Sequence, residues 1–153
     1  MIYQWKDGSM PKVDAQAAGQ EMERLRTMRN GRLEAKDLVE QSRDPSAPLH
    51  PAFEWDNDAA AEAYRIDQAR YLIRSIEVVV LPEPEAKPVR AFVSVRRDDD
   101  RSYTSVAHAM SDPELRQQVL DNALRELEAW RNRYAELVEL ANVFAAIDEA
   151  RAA

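Results

Sequence analysis

No glycine or proline follows Pro113 in this chain of 153 residues. Both residues punctuate helices, so their absence leaves the last third free to form one. From Ser111 to about Ala150, apolar side chains return every three or four positions. They are Leu120, Leu124, Leu127, Trp130, Tyr134, Leu137, Ala141, Phe144 and Ile147, which is the period of one helical face. The run Ser111-Asp112-Pro113-Glu114 reads as its start. Serine three residues before glutamate is a capping box, and proline suits the first turn, where its missing N–H would be unpaired anyway. A straight helix of this length would reach roughly 55–60 Å. A compact domain of this size has a radius of gyration of only about 15 Å. One long C-terminal amphipathic helix, residues 111–153, is therefore expected to overhang the fold, and its far end needs a cover.

The rest of the chain divides by pattern. Residues 1–13 have no clear period; Tyr3 and Trp5 are aromatic, and Gly8, Ser9 and Pro11 break structure. They predict an extended N-terminal arm, which covers its own core or reaches a neighbouring subunit. Residues 14–76 predict a three-helix unit. Asp14 can cap a helix running to about Arg29, with Ala15, Ala18, Met22, Leu25 and Met28 on one face. Asn30-Gly31 should end it in the left-handed conformation. A short helix from about Leu33 to Arg43 follows, stopped by Asp44-Pro45. The proline-rich loop 44–55 carries Phe53 and Trp55 back onto the helices. A third helix, about 58–76, is capped by Asp56 or Asn57 and shows Ala59, Ala63, Ile66, Ala69, Ile73 and Ile76 as its stripe.

Residues 77–110 read as a small β-sheet region. Residues 77–81 are rich in β-branched side chains, 82–88 (PEPEAKP) are a loop, and 89–96 alternate, with Val89, Ala91, Val93 and Val95 facing one way. Arg97 to Arg101 should turn, and Ser102 to Val106 return. The expected class is α+β, predominantly helical: an N-terminal three-helix unit, a small antiparallel sheet of two or three strands, and the long C-terminal helix.

Composition limits the chemistry. There is no cysteine and only two histidines, His50 and His108. Disulfides and thiolate metal sites are excluded, a reducing compartment is the natural reading, and zinc is not expected. Glu54, Asp56 and Asp58 sit at a helix start and Asp98 to Asp100 in a turn, where carboxylates serve the backbone. Ser105, His108 and Asp112 make a triad on paper, without a nucleophile elbow. No phosphate-binding glycine motif occurs among three glycines. No catalytic residue, metal or cofactor is therefore assigned. MIYQWKDGSMPKVD has no apolar core of a signal peptide, and no run of about 18 apolar residues spans a membrane.

The net charge of −7 disfavours phosphate backbones in bulk. A helix-turn-helix reading nevertheless exists, in which Arg65, Arg70, Tyr71 and Arg74 of the third helix would contact DNA. The long proline-rich link and the acids Glu62 and Asp67 on the same helix weigh against it. The favoured expectation is self-assembly, coiled-coil-like but with a broad stripe, through Trp130, Tyr134, Leu137, Ala141, Phe144 and Ile147.

PLHPAFEWDNDAAAEAYRIDQARYLIRSI (residues 48–76) and SYTSVAHAMSDPELRQQVLDNALRELEAWRNRYAEL (residues 102–137) resemble small proteins of unassigned function from tailed bacteriophages and prophages. The resemblance implies a bacterial host cytoplasm or a virion as the setting and other phage proteins as partners. In that setting the expected role is a non-enzymatic structural or assembly protein. The alternative is a DNA-associated regulator or a packaging subunit similar to small terminases, although strands between the two helical parts depart from that pattern.

Overall fold

The computed structural model describes residues 1–9, 11–56, 59–79 and 86–153. The fold is mixed α/β and mainly helical, with N-terminal helices, small antiparallel sheets and C-terminal helices. The N-terminal arm is a strand of the protein's own sheet. β1 (Ile2–Trp5) pairs antiparallel with β2 (Ile76–Val79), and β2 pairs on its other side with β3 (Val89–Arg90). The arm shows no apolar period because only Tyr3 points fully inward from this edge strand.

α1 (Ala15–Met28) starts where Asp14 Oδ1 accepts the Ala17 N–H at 2.9 Å. It stops where Asn30 and Gly31 take φ of 53° and 87°, a left-handed exit that hydrogen-bonds the last turn through Gly31 N–H to Arg26 O at 2.8 Å. Its buried face is Ala18, Gly19, Met22 and Leu25, while Met28 is exposed. α2 (Ala35–Gln41) is shorter than the predicted 33–43. Leu33 is instead fully buried as a β-bridge, exchanging both backbone hydrogen bonds with Tyr103 at 2.7 Å. α3 (Ala59–Ser75) buries Arg65, Ala69, Leu72 and Ile73, with Ile76 following in β2. The cap expected from Asn57, and the predicted strand and loop positions from Val80 to Glu85, lie outside the described residues.

The predicted strand 89–96 is two strands. It breaks at Ala91, whose N–H donates to Ile76 O at 3.2 Å and whose carbonyl accepts from Val106 at 3.0 Å. The chain there leaves the first sheet and enters a hairpin, β4 (Phe92–Arg97) with β5 (Asp100–Ser105). Ala91 and Phe92 are both buried and Val89 is exposed, so the expected single face does not hold across the break. Asp98 and Asp99 form the two-residue turn with φ of 49° and 67°; hairpin turns of this kind need left-handed residues at both central positions. Within β4 the alternation returns. Phe92 joins the main core with Met22, Leu33, Leu38, Leu49, Ile73 and Ile76. Val93 and Val95 face a second, smaller cluster with Ala109, Leu115 and Val119.

Thr104, opposite Val93, is fully buried, and its hydroxyl has no hydrogen-bond partner among the described residues. An unpaired buried hydroxyl is unfavourable, and valine has nearly the same shape. Thr104→Val should stabilise by about 1 kcal/mol and raise Tm by about 3 °C. A lower Tm in a thermal melt would mean that the hydroxyl does bond in solution.

Candidate functional site

The C-terminal third is a hairpin of helices, where sequence periodicity predicts one long helix. α4 (Val106–Ser111) is a single short turn whose N-cap, Ser105, accepts the His108 N–H at 3.2 Å. α5 (Pro113–Arg133) follows. The predicted capping box is displaced by one residue. Asp112, not Ser111, caps α5, its Oδ1 accepting the N–H groups of Glu114 and Leu115 at 3.0 and 3.1 Å. Ser111 closes α4 by donating to His108 O at 2.8 Å. Pro113 holds the first helical position, as proline chemistry requires.

α5 ends at Tyr134, and Leu137 leaves helical geometry with φ −83° and ψ 93°. A turn of 3-10 helix (Val138–Leu140) leads into α6 (Ala141–Ala152), which packs back against α5. No glycine or proline marks this reversal. Folding back brings the Phe144 ring to 5.9 Å from Trp130 and buries Ile147, contacts that a straight helix could not make within one chain. Arg131–Asp148 at 2.9 Å and Arg151–Glu128 at 2.8 Å tie the two helices at the surface. Exposed ion pairs contribute little, about 0–1 kcal/mol each.

The hairpin buries little of its own stripe. Leu115 is the buried residue of α5 and Ile147 that of α6. Leu120 is 50% exposed, Leu127 41%, Leu137 45%, Val143 46% and Val138 80%. Of the six residues predicted to meet a partner, Trp130 and Phe144 are half-buried against each other, Ile147 is buried within the hairpin, and Tyr134, Leu137 and Ala141 lie exposed around the reversal. Leu120 and Leu127 belong to the same stripe but lie outside the Trp130–Ile147 stretch singled out from sequence. The apolar surface therefore extends further along α5 than a straight overhang implies.

The four residues of the DNA reading do not form one free surface. The Arg65 side chain is buried, 3% exposed. Its guanidinium donates to the carbonyl oxygens of Glu54 and Asp56, the latter at 2.8 Å, and pairs with Glu62 at 3.1 Å. It also lies 5.2 Å from the centre of the Trp55 ring, against which the His50 imidazole stacks at 4.9 Å. Arg70 is paired with Asp67 at 3.0 Å, and Tyr71 and Arg74 are exposed. Hydrogen bonds from Arg43 and then Arg65 hold the Glu62 carboxyl below its ordinary pKa.

The paper triad is not assembled. Ser105 caps α4, Asp112 caps α5, and His108 Nε2 accepts from the Arg97 guanidinium at 2.9 Å. Among the described residues no group of three histidine, aspartate or glutamate side chains is placed to hold a metal ion. Among the same residues no helix is long and apolar enough to cross a membrane.

No family model, no curated protein and no solved structure matches this chain.

Proposed function

We propose that this protein is a non-enzymatic assembly protein that pairs with further copies of itself through the α5–α6 hairpin. One observation carries the reading: the hairpin leaves Leu120, Leu127, Leu137, Val138 and Val143 exposed while burying little beyond Leu115 and Ile147. Two antiparallel helices cannot cover both of their apolar sides. A second hairpin laid against the first makes a four-helix bundle, in which the stripes of all four helices close on one core. A copy of the same surface is the natural occupant, since two-fold pairing needs only one self-complementary patch.

Multi-angle light scattering at micromolar concentration should return a dimer or a larger closed assembly. A monomer there would overturn the reading. The double variant Leu127→Arg, Val138→Arg should run as a monomer with an unchanged far-UV circular dichroism spectrum. Loss of helicity in that variant would instead make these side chains core. The phage setting is part of the same proposal and rests on the resemblance in residues 48–76 and 102–137. Mass spectrometry of purified particles checks the structural role there, and absence from particles would leave action in the host cell.

A further inference from the structure

A groove of about 690 Å³ runs between β4 and α5. Arg90, Arg96, Arg101 and Arg125 line it, with Asp121 and Glu126 on the helix side. None of these four arginines has an ion-pair partner among the described residues. Nine other arginines do. In a chain of net charge −7, four guanidinium groups without a carboxylate partner among the described residues, one of them (Arg125) bonded to the neutral Asn122 side chain, are a local excess of positive charge in one groove.

Two details make this more than a solvated surface. Arg96 and Arg101 stand directly opposite each other in the hairpin. Their pair is of the non-hydrogen-bonded kind, because Arg96 turns its N–H and C=O outward to the Gln118 side chain, at 2.8 and 2.9 Å. Side chains are closest in such pairs, and like charges there are unfavourable. The second detail is the strand edge. Ser94, two residues before Arg96, must turn its N–H and C=O the same way by the period of a strand. Gln118 stops at Arg96, and no described residue meets the Ser94 backbone groups, which face the groove that Ser94 lines.

We propose that this groove captures an extended acidic segment of a partner protein, which adds a short strand at the open edge of β4. Carboxylates would pair with the guanidinium groups, where forked geometry favours Arg. The partner backbone would exchange hydrogen bonds with Ser94, and alternate apolar side chains would rest on Val93 and Val119. Nucleic acid fits less well for two reasons. A DNA sugar-phosphate backbone has no donor for the Ser94 carbonyl, whereas a peptide backbone has both donor and acceptor at regular spacing. Evenly spaced phosphates would also meet Asp121 and Glu126, whereas a peptide can turn uncharged side chains toward them.

The test is fluorescence anisotropy on the full chain with a labelled peptide of alternating glutamate and valine. A lysine–valine peptide and a single-stranded oligothymidine are the comparison probes. The glutamate peptide should bind, and added salt should weaken it. Arg96→Glu should weaken it tenfold or more while leaving Tm equal or higher, because that substitution turns a repulsive cross-strand pair into an attractive one. Absence of glutamate-peptide binding, equal binding of the lysine peptide, or insensitivity to Arg96→Glu would each overturn the proposal. Tighter binding of the oligothymidine would overturn it in favour of a phosphate groove.

Discussion

Gly19→Ala should destabilise the protein by about 2 kcal/mol or more, although alanine is the better helix former by about 1 kcal/mol. Gly19 lies in the middle of α1 on its buried face. A Cβ built there would lie 2.1 Å from Cγ of Tyr3 and less than 2.5 Å from both Cδ atoms. Cγ is the inner end of the ring, held by β1, so it cannot swing aside as the tip of a long side chain would. The methyl group must expel Tyr3 and with it disturb the β1–β2 pairing. Removal of the ring should reverse the sign. In a Tyr3→Ala background, which itself costs several kcal/mol, Gly19→Ala should stabilise by about 1 kcal/mol. Urea unfolding of the four proteins measures the cycle. A neutral or stabilising Gly19→Ala in the parent chain would show that Tyr3 does not pack on α1.

Arg65→Ala should cost about 2–4 kcal/mol, a core-like penalty at a charged residue. The substitution takes the guanidinium donors away from the Glu54 and Asp56 carbonyls and removes the cation from the face of Trp55. Arg65→Lys should recover only part of the loss. An ammonium is a point donor and cannot serve two carbonyls and the Glu62 carboxylate with the planar fork that arginine provides. The midpoint of urea unfolding again decides. Stability within about 0.5 kcal/mol of the parent would overturn this account. It would also return Arg65 to the surface role in DNA contact that the pattern of α3 invites.

These two residues mark where sequence reasoning runs out. Arg65, Arg70 and Arg74 look alike as cations on one amphipathic helix. Only Arg65 is swallowed by the loop 44–56, because that loop brings Trp55 and the Glu54 and Asp56 carbonyls onto the helix. The distances involved are local in space but follow from how a proline-rich segment closes, which no periodicity encodes. Gly19 is a similar case: its spacing places it on the apolar face of α1, but its partner Tyr3 comes from a strand with no period of its own. The groove arginines were equally silent. Arg90, Arg96, Arg101 and Arg125 come from three strands and a helix, and a charge on an alternating strand reads as solvated surface until its neighbours are known.

Local chemistry alone determined the Asp14 cap, the left-handed exit at Asn30-Gly31, the third helix and the Asp98–Asp99 turn. Each depends on a few adjacent residues and their backbone preferences. The same local rules made residues 111–153 one helix, and there the tertiary structure decided otherwise. Residues 134–137 contain no breaker, so helix propensity favours continuation. Reversal gives up a few backbone hydrogen bonds at the bend but lets Phe144 meet Trp130 and lets Ile147 be buried. Burial within the chain outweighs local preference, and no window of sequence shorter than the hairpin itself contains both terms.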